Sequence, residues 1–305
     1  MGSKMNNLTE DGTVGIVASV VGGVVVCVLT VGIGYQLYRH LYRAITLSGE
    51  TDRSTLTQPD LIYLLMLPRI GVISNISPFT VKLETWFRLI DVPYRVVETT
   101  LPSSKRQFPY IILNGVEIAD SRFIVERVAK HFNKKVDPNL SAEERSVSVA
   151  FSRMLEENTI YTYAWYRVLF QHAEYWGLFS EENKGVLAKK MLKYGPTLME
   201  RAAKVKFWQQ GVSRLSPAEI YSLAETDLKA LSDYLGTKDY FFGEEPTLLD
   251  CVAFGHLIQI LWLKLNFPPR FYVENECKNL SRFLDRMRDR FYPDWEQLCK
   301  PSSSS

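Results

Sequence analysis

Cysteine is scarce in this chain and nowhere paired in sequence. Its 305 residues include four, Cys27, Cys251, Cys277 and Cys299, with no C-x-x-C. A secreted disulfide scaffold needs a denser framework, so the usage suits a reducing compartment. Histidine is equally sparse. His40, His131, His172 and His256 show no zinc-ligand spacing, and no metal site is expected. An excess of one charge is also missing: the net charge is +2 with the basic residues dispersed, so nucleic acid is not an expected partner. No internal repeat is visible. What is present, 46% apolar and 23% charged residues, is ordinary for a globular chain. At roughly 100–200 residues per domain, the length suits two domains and an appendage.

The one long uncharged run is residues 13–35, TVGIVASVVGGVVVCVLTVGIGY. As a helix it would measure about 34 Å, enough to span a bilayer core. A cleaved signal would have a basic leader and a shorter apolar region, and it remains the alternative. Here Lys4 is offset by Glu10 and Asp11, whereas Arg39, Arg43 and Arg53 follow the run. Basic flanks favour the cytoplasmic side, which predicts a single-pass anchor in the lipid bilayer with the C-terminal bulk cytosolic. Endoplasmic reticulum, lysosome and mitochondrial outer membrane all fit. Asn7-Leu8-Thr9 is a glycosylation sequon on the outer side. Gly15, Ser19 and Gly23 form a small-residue face that would let two copies meet as a homodimer, or they reflect the usual composition of membrane spans.

After a polar linker, residues 61–67 (LIYLLML) read as a strand buried on both faces. Pro78 suits a first helical turn, and Phe79, Leu83, Phe87 and Ile90 keep helical spacing. Residues 94–98 read as a second strand. Two apolar runs flank Asn114-Gly115, a hairpin signal because both turn positions need φ > 0. Ser121 is then expected to cap a helix over 122–132. From Ser141 the chain turns helical. Capping boxes stand at Ser141/Glu144, Ser216/Glu219 and Thr247/Asp250, and Val147, Phe151, Met154, Leu155, Tyr161 and Trp165 approximate one face of a long helix. The fold expected is α/β plus all-α: a thioredoxin-like half followed by a helical domain of glutathione-transferase type, preceded by one transmembrane helix. Its segments are a tail at 1–12, the span at 13–35, a linker at 36–59, the thioredoxin-like domain at 60–134, the helical domain at 139–298 and a tail at 299–305.

Several runs resemble one branch of that superfamily, the failed axon connections family, which includes nematode cadmium-responsive proteins and is related to the metaxins. They are Ser77-Pro78-Phe79 with Lys82-Leu83-Glu84-Thr85, Phe108-Pro109-Tyr110, Ala119-Asp120-Ser121-Arg122-Phe123-Ile124, the stretch from Pro246 to Leu257, and Arg286 to Trp295. The resemblance implies a site beside the start of the first helix with glutathione as cosubstrate or ligand. Ser77 stands where relatives keep a thiol-activating Ser or Tyr, or a redox Cys. It either activates the glutathione thiol or simply caps the helix, and it cannot form a mixed disulfide. Phe108-Pro109 would be the cis-proline that faces the glutathione peptide, and Asp120 with Ser121 would receive its γ-glutamyl end. Lys105 and Arg106 read as loop charges, Thr247 and Asp250 as a structural cap, and His256 as a packed core histidine. Two functions follow: glutathione binding or conjugation in stress and metal response, or a non-enzymatic, metaxin-like interaction module at an organelle membrane or in axon development.

Overall fold

The computed structural model describes residues 50–179 and 186–299. The chain divides into two compact units, and every described residue belongs to the second, Gly49–Ser305. The expected span at 13–35 lies outside the described residues, together with the tail at 1–12, all but Cys299 of the tail at 299–305, and most of the linker. Among the described residues no helix is long and apolar enough to cross a membrane.

Four strands form one mixed sheet in the order β2-β1-β3-β4. β1 (Ile62–Met66) runs parallel to β2 (Tyr94–Glu98) and antiparallel to β3 (Tyr110–Leu113), which pairs antiparallel with β4 (Val116–Ala119). A parallel neighbour needs a crossover, and α1 (Pro78–Leu89) supplies it. The unbroken apolar run of β1 is explained by cover on both sides. Ile62 and Leu64 pack with Leu83, Trp86, Phe87, Ile124 and Val128, while Tyr63 and Leu65 pack with Leu56, Val97, Tyr110 and Ile112. The β3–β4 turn has φ of 50° at Asn114 and 75° at Gly115, the doubly positive turn that the Asn-Gly pair requires.

The next helix, α2 (Ser121–His131), begins one residue earlier than the sequence suggests. Its cap is Asp120, whose carboxylate accepts the Arg122 amide at 3.0 Å, and Ser121 is the first helical residue. Asp120 takes φ 78° and ψ 118°, outside the left-handed helical region, and this sparsely populated backbone turns the chain sharply out of β4.

α3 (Ala142–Met154) and α4 (Ile160–Trp165) are joined by a π-helical turn, Leu155–Thr159, and a second π turn, Tyr166–Phe170, follows. Each π turn adds a residue and rotates the apolar face. Leu155, Tyr163, Trp165 and Tyr166 are therefore buried, while Val147 and Phe151 are only half-buried. A straight 3.6-residue period predicts a single face and misses this rotation. The domain continues with α5 (His172–Gly177), α6 (Val186–Gln210), α7 (Pro217–Leu235), α8 (Leu248–Leu261), α9 (Pro268–Glu276), α10 (Lys278–Phe291) and α11 (Trp295–Leu298). The boxes at Ser141, Ser216 and Thr247 open α3, α7 and α8.

The two halves are pinned through α1. Gly255 of α8 lies against its first turn so closely that a Cβ there would be 2.4 Å from the Pro78 carbonyl oxygen. At the other end Arg88 donates to both oxygens of Asp294, at 2.6 and 2.9 Å, and Thr85 shares a 2.7 Å hydrogen bond with Tyr292. Glu84 receives a bidentate Arg69 guanidinium at 2.7 and 3.0 Å. Thr85 and Arg88 thus act as cross-domain fasteners, whereas the Arg69–Glu84 pair lies within the thioredoxin-like half.

Candidate functional site

The loop before α1 is held from both domains. Asn75 donates to the Leu67 carbonyl at 3.0 Å and accepts the Ser77 amide at 2.9 Å. From α8, Gln259 donates to the Asn75 carbonyl and accepts from Arg167, whose guanidinium sits between the Tyr163 and Tyr175 rings. This fixes Ser77, whose hydroxyl accepts the Thr80 amide at 3.3 Å as the cap of α1.

A cavity of about 460 Å³ opens between the sheet edge and the helical domain. The Phe108-Pro109 bond is cis, and both residues line the cavity together with Asp120, Ser121 and Phe79. The opposite wall is Glu156 and Tyr161 of the helical domain with Lys206 and Phe207 of α6. Four of the five sequence-nominated ligand positions therefore meet in one place. Ser77 is not among the lining residues. Arg106, read from sequence as a loop charge, is at the rim.

The electrostatics are specific. Burial works against the Asp120 charge, but the Arg122 amide and guanidinium hold its carboxyl below the usual range. Ser121 opens α2, where unpaired backbone amides favour an anion. Behind it lies a group that the sequence reading did not single out. Lys82 of α1 sends its ammonium across to Glu156, 2.7 Å away, and also donates to the Ser121 hydroxyl at 3.2 Å. Both charged side chains are under 5% exposed. The hydroxyl expected to receive a ligand is thus already engaged from inside. The positions are 74 apart in sequence, and Glu156 reaches Lys82 from within the π turn.

Thr247 and Asp250 lie elsewhere. Asp250 accepts the Thr247 amide at 2.8 Å, its hydroxyl at 2.7 Å and the Phe241 amide at 2.9 Å, which are structural duties. A larger cavity, about 760 Å³, borders Thr247 and Asp137, but Asp137 is occupied in accepting the Leu248 amide at 2.9 Å. Among the described residues no group of three His, Cys, Asp or Glu is placed to hold a metal ion.

His256 is fully buried, and its Nδ1 lies 2.9 Å from the Tyr163 hydroxyl. Burial, with the Lys82 and Arg167 charges, pushes its pKa down to about 3. The folded form therefore excludes the proton that the unfolded chain binds near pH 6.5. Stability from this neutral ring is complete above pH 6.5 and lost as pH falls toward 3. Between pH 6.5 and 4 the chain should lose roughly 3 kcal/mol through this group, at about 1.4 kcal/mol per unit. Urea unfolding of the wild type and His256→Asn across that range checks this, and parallel pH profiles would contradict it.

Comparison with known proteins matches this chain to a family. Residues 78–173 match the family described as Glutathione S-transferase N-terminal domain, and residues 224–287 match Glutathione S-transferase, C-terminal domain. Failed axon connections of Drosophila melanogaster is 35% identical over 257 residues, 79% of this chain and 60% of that protein. The chain belongs to the failed axon connections family. The match spans less than two thirds of the fly protein's length. Mouse metaxin-2 is 39% identical over a shorter stretch of 67 residues, 22% of this chain and 26% of metaxin-2, in keeping with the metaxin-related character of the failed axon connections family. A Pseudomonas fluorescens glutathione transferase family member, solved with two glutathione bound, superposes with TM-score 0.50 at 15% identity, covering 81% of this chain and 94% of that one. At that identity it establishes the fold alone.

Proposed function

We propose that this failed axon connections family protein is a membrane-anchored glutathione binder, with its ligand in the 460 Å³ cavity. One observation carries the reading: cis-Pro109 and the Asp120-Ser121 pair, two separate stretches of sequence, converge on that cavity. The anion-favouring start of α2 suits a carboxylate there. Binding is favoured over conjugation because Ser77 caps α1 and does not line the cavity. The apolar run at 13–35, with arginines after it, supports a bilayer anchor and a cytosolic body.

Calorimetric titration of the full chain with glutathione tests this. Asp120→Ala should weaken binding about tenfold, equivalent to about 1.4 kcal/mol. Ser77→Ala should leave binding within about twofold while lowering stability by ~1 kcal/mol through the lost cap. No binding at millimolar glutathione, or loss of binding only in Ser77→Ala, refutes the assignment.

A second reading is a metaxin-like interaction module, favoured by the Lys82–Glu156 pair that already engages Ser121. In that case partners captured by the full chain would survive Ser77→Ala and Asp120→Ala, and glutathione would not bind.

A further inference from the structure

α6 presents a second face that the fold does not use. Ala188, Met191, Leu192, Ala203 and Phe207 are buried against the helical domain. On the other side Tyr194, Leu198, Val205 and Trp208 are 44–61% exposed. With Arg201 between them, they follow alternating steps of four and three, so they form one stripe along the helix. Isolated exposed apolar residues need no explanation, but four large ones aligned on one helix do.

Charge selects the occupant. The helix carries Lys189, Lys190, Lys193, Arg201, Lys204 and Lys206 against a single acid, Glu200. Arg201 lies within the stripe and Lys193 and Lys204 are exposed beside it, Lys204 also pairing with Glu200 at 2.7 Å. The Lys193 ammonium lies 5.3 Å from the Tyr194 ring centre, and the Arg214 guanidinium lies 5.2 Å from that of Trp208. A second copy docked on the same stripe would bring two strongly basic helices together, which like-charge repulsion opposes. An apolar stripe with Tyr and Trp, bordered by lysine and arginine, instead matches the boundary of an anionic bilayer, where rings and aliphatic side chains enter the headgroup layer and cations stay at the phosphates. We infer that the α6 stripe Tyr194, Leu198, Val205 and Trp208 lies on an anionic lipid surface. This contact is separate from the run at 13–35 and independent of any ligand in the cavity.

The test uses the full chain in vesicles of phosphatidylcholine alone or with phosphatidylserine, each prepared with and without bromine on the acyl chains. The emission of Trp208 is taken as the difference between the wild type and W208F. Brominated chains should quench it about twofold or more in phosphatidylserine vesicles, as expected for a ring about 5–10 Å into the interface. Quenching should vanish in phosphatidylcholine, at about 0.5 M salt, and in K193E/R201E/K204E, which leaves the cavity-lining Lys206 intact. The salt titration of the wild type keeps the test valid if the triple variant misfolds. Absence of quenching with phosphatidylserine overturns the inference, as does equal quenching in both lipids. A Trp208 shielded from lipid but cross-linked through α6 to a second copy or an acidic protein overturns it as well.

Discussion

Replacing Lys82 with methionine is expected to destabilise the fold by roughly 3–5 kcal/mol, because it leaves a buried carboxylate uncompensated. Glu156 is 4% exposed at its side chain and loses a 2.7 Å partner, and the Ser121 hydroxyl loses a donor at 3.2 Å. Arg153, 3.6 Å from Glu156 and half-exposed, is a weak substitute. By contrast, the exposed pair Lys229–Asp233 should contribute little despite its close approach, because solvent screens it. The double variant Lys82→Met/Glu156→Leu removes both charges and should recover most of the loss, since a well-packed apolar pair is often no worse than a buried ion pair. Equilibrium unfolding of the four chains in this cycle gives the coupling. A single variant costing under about 1 kcal/mol, or a double variant worse than either single, would contradict a desolvated pair.

Asp250→Ala should cost a comparable ~3–5 kcal/mol, since it strands the Phe241 and Thr247 amides in the interior and strips α8 of its cap. Asp250 also titrates in an informative range. Burial raises its pKa to about 6, although three donors work in the opposite direction. The folded state thus holds a proton that the unfolded chain, with the ordinary value of 3.8, releases earlier. The associated stability is complete below about pH 4 and lost as pH rises through 6, by roughly 3 kcal/mol. His256 gives the opposite slope over the same acid range, so each must be isolated with its own variant. For Asp250 the reference is Asp250→Asn, whose NH₂ opposes the Thr247 donors. Thermal or urea unfolding of wild type and variant from pH 4 to pH 7 should show the gap narrowing as pH rises. A gap that widens would mean that the carboxylate is ionised throughout.

Much of the fold was legible locally. The strands, the Asn114-Gly115 hairpin and the three capping boxes each depend on residues within a few positions of one another, and local sequence carries that information. The cap of α2 was misplaced by one residue because the sharp turn at Asp120, φ 78°, depends on how β4 meets the helix. Of the candidate site, Phe108, Pro109, Asp120 and Ser121 were nominated through family resemblance, and the structure places them together around one cavity. Lys82 and Glu156 were missed. A lysine and a glutamate on helices ordinarily read as solvated surface, and nothing local marks them as buried. The one available signal was the Lys82-Leu83-Glu84-Thr85 run itself, where polar residues interrupt a helix that later proves to be covered on every side.

The amino-acid sequence by itself determined the order of elements, their caps and turns, the βαβ–ββα half followed by helices, and a long apolar run ahead of them, because periodicity, capping and turn chemistry are short-range. Tertiary structure alone decided which polar groups would lose water. Packing α1 between the sheet and α8 buried Lys82, Glu84 and Thr85 and forced each to find a distant partner. The same packing left Ser77 to its helix cap and left one apolar stripe of α6 uncovered. Burial is a property of the assembled fold, and it separates a fastener from a surface charge and a ligand site from a cap.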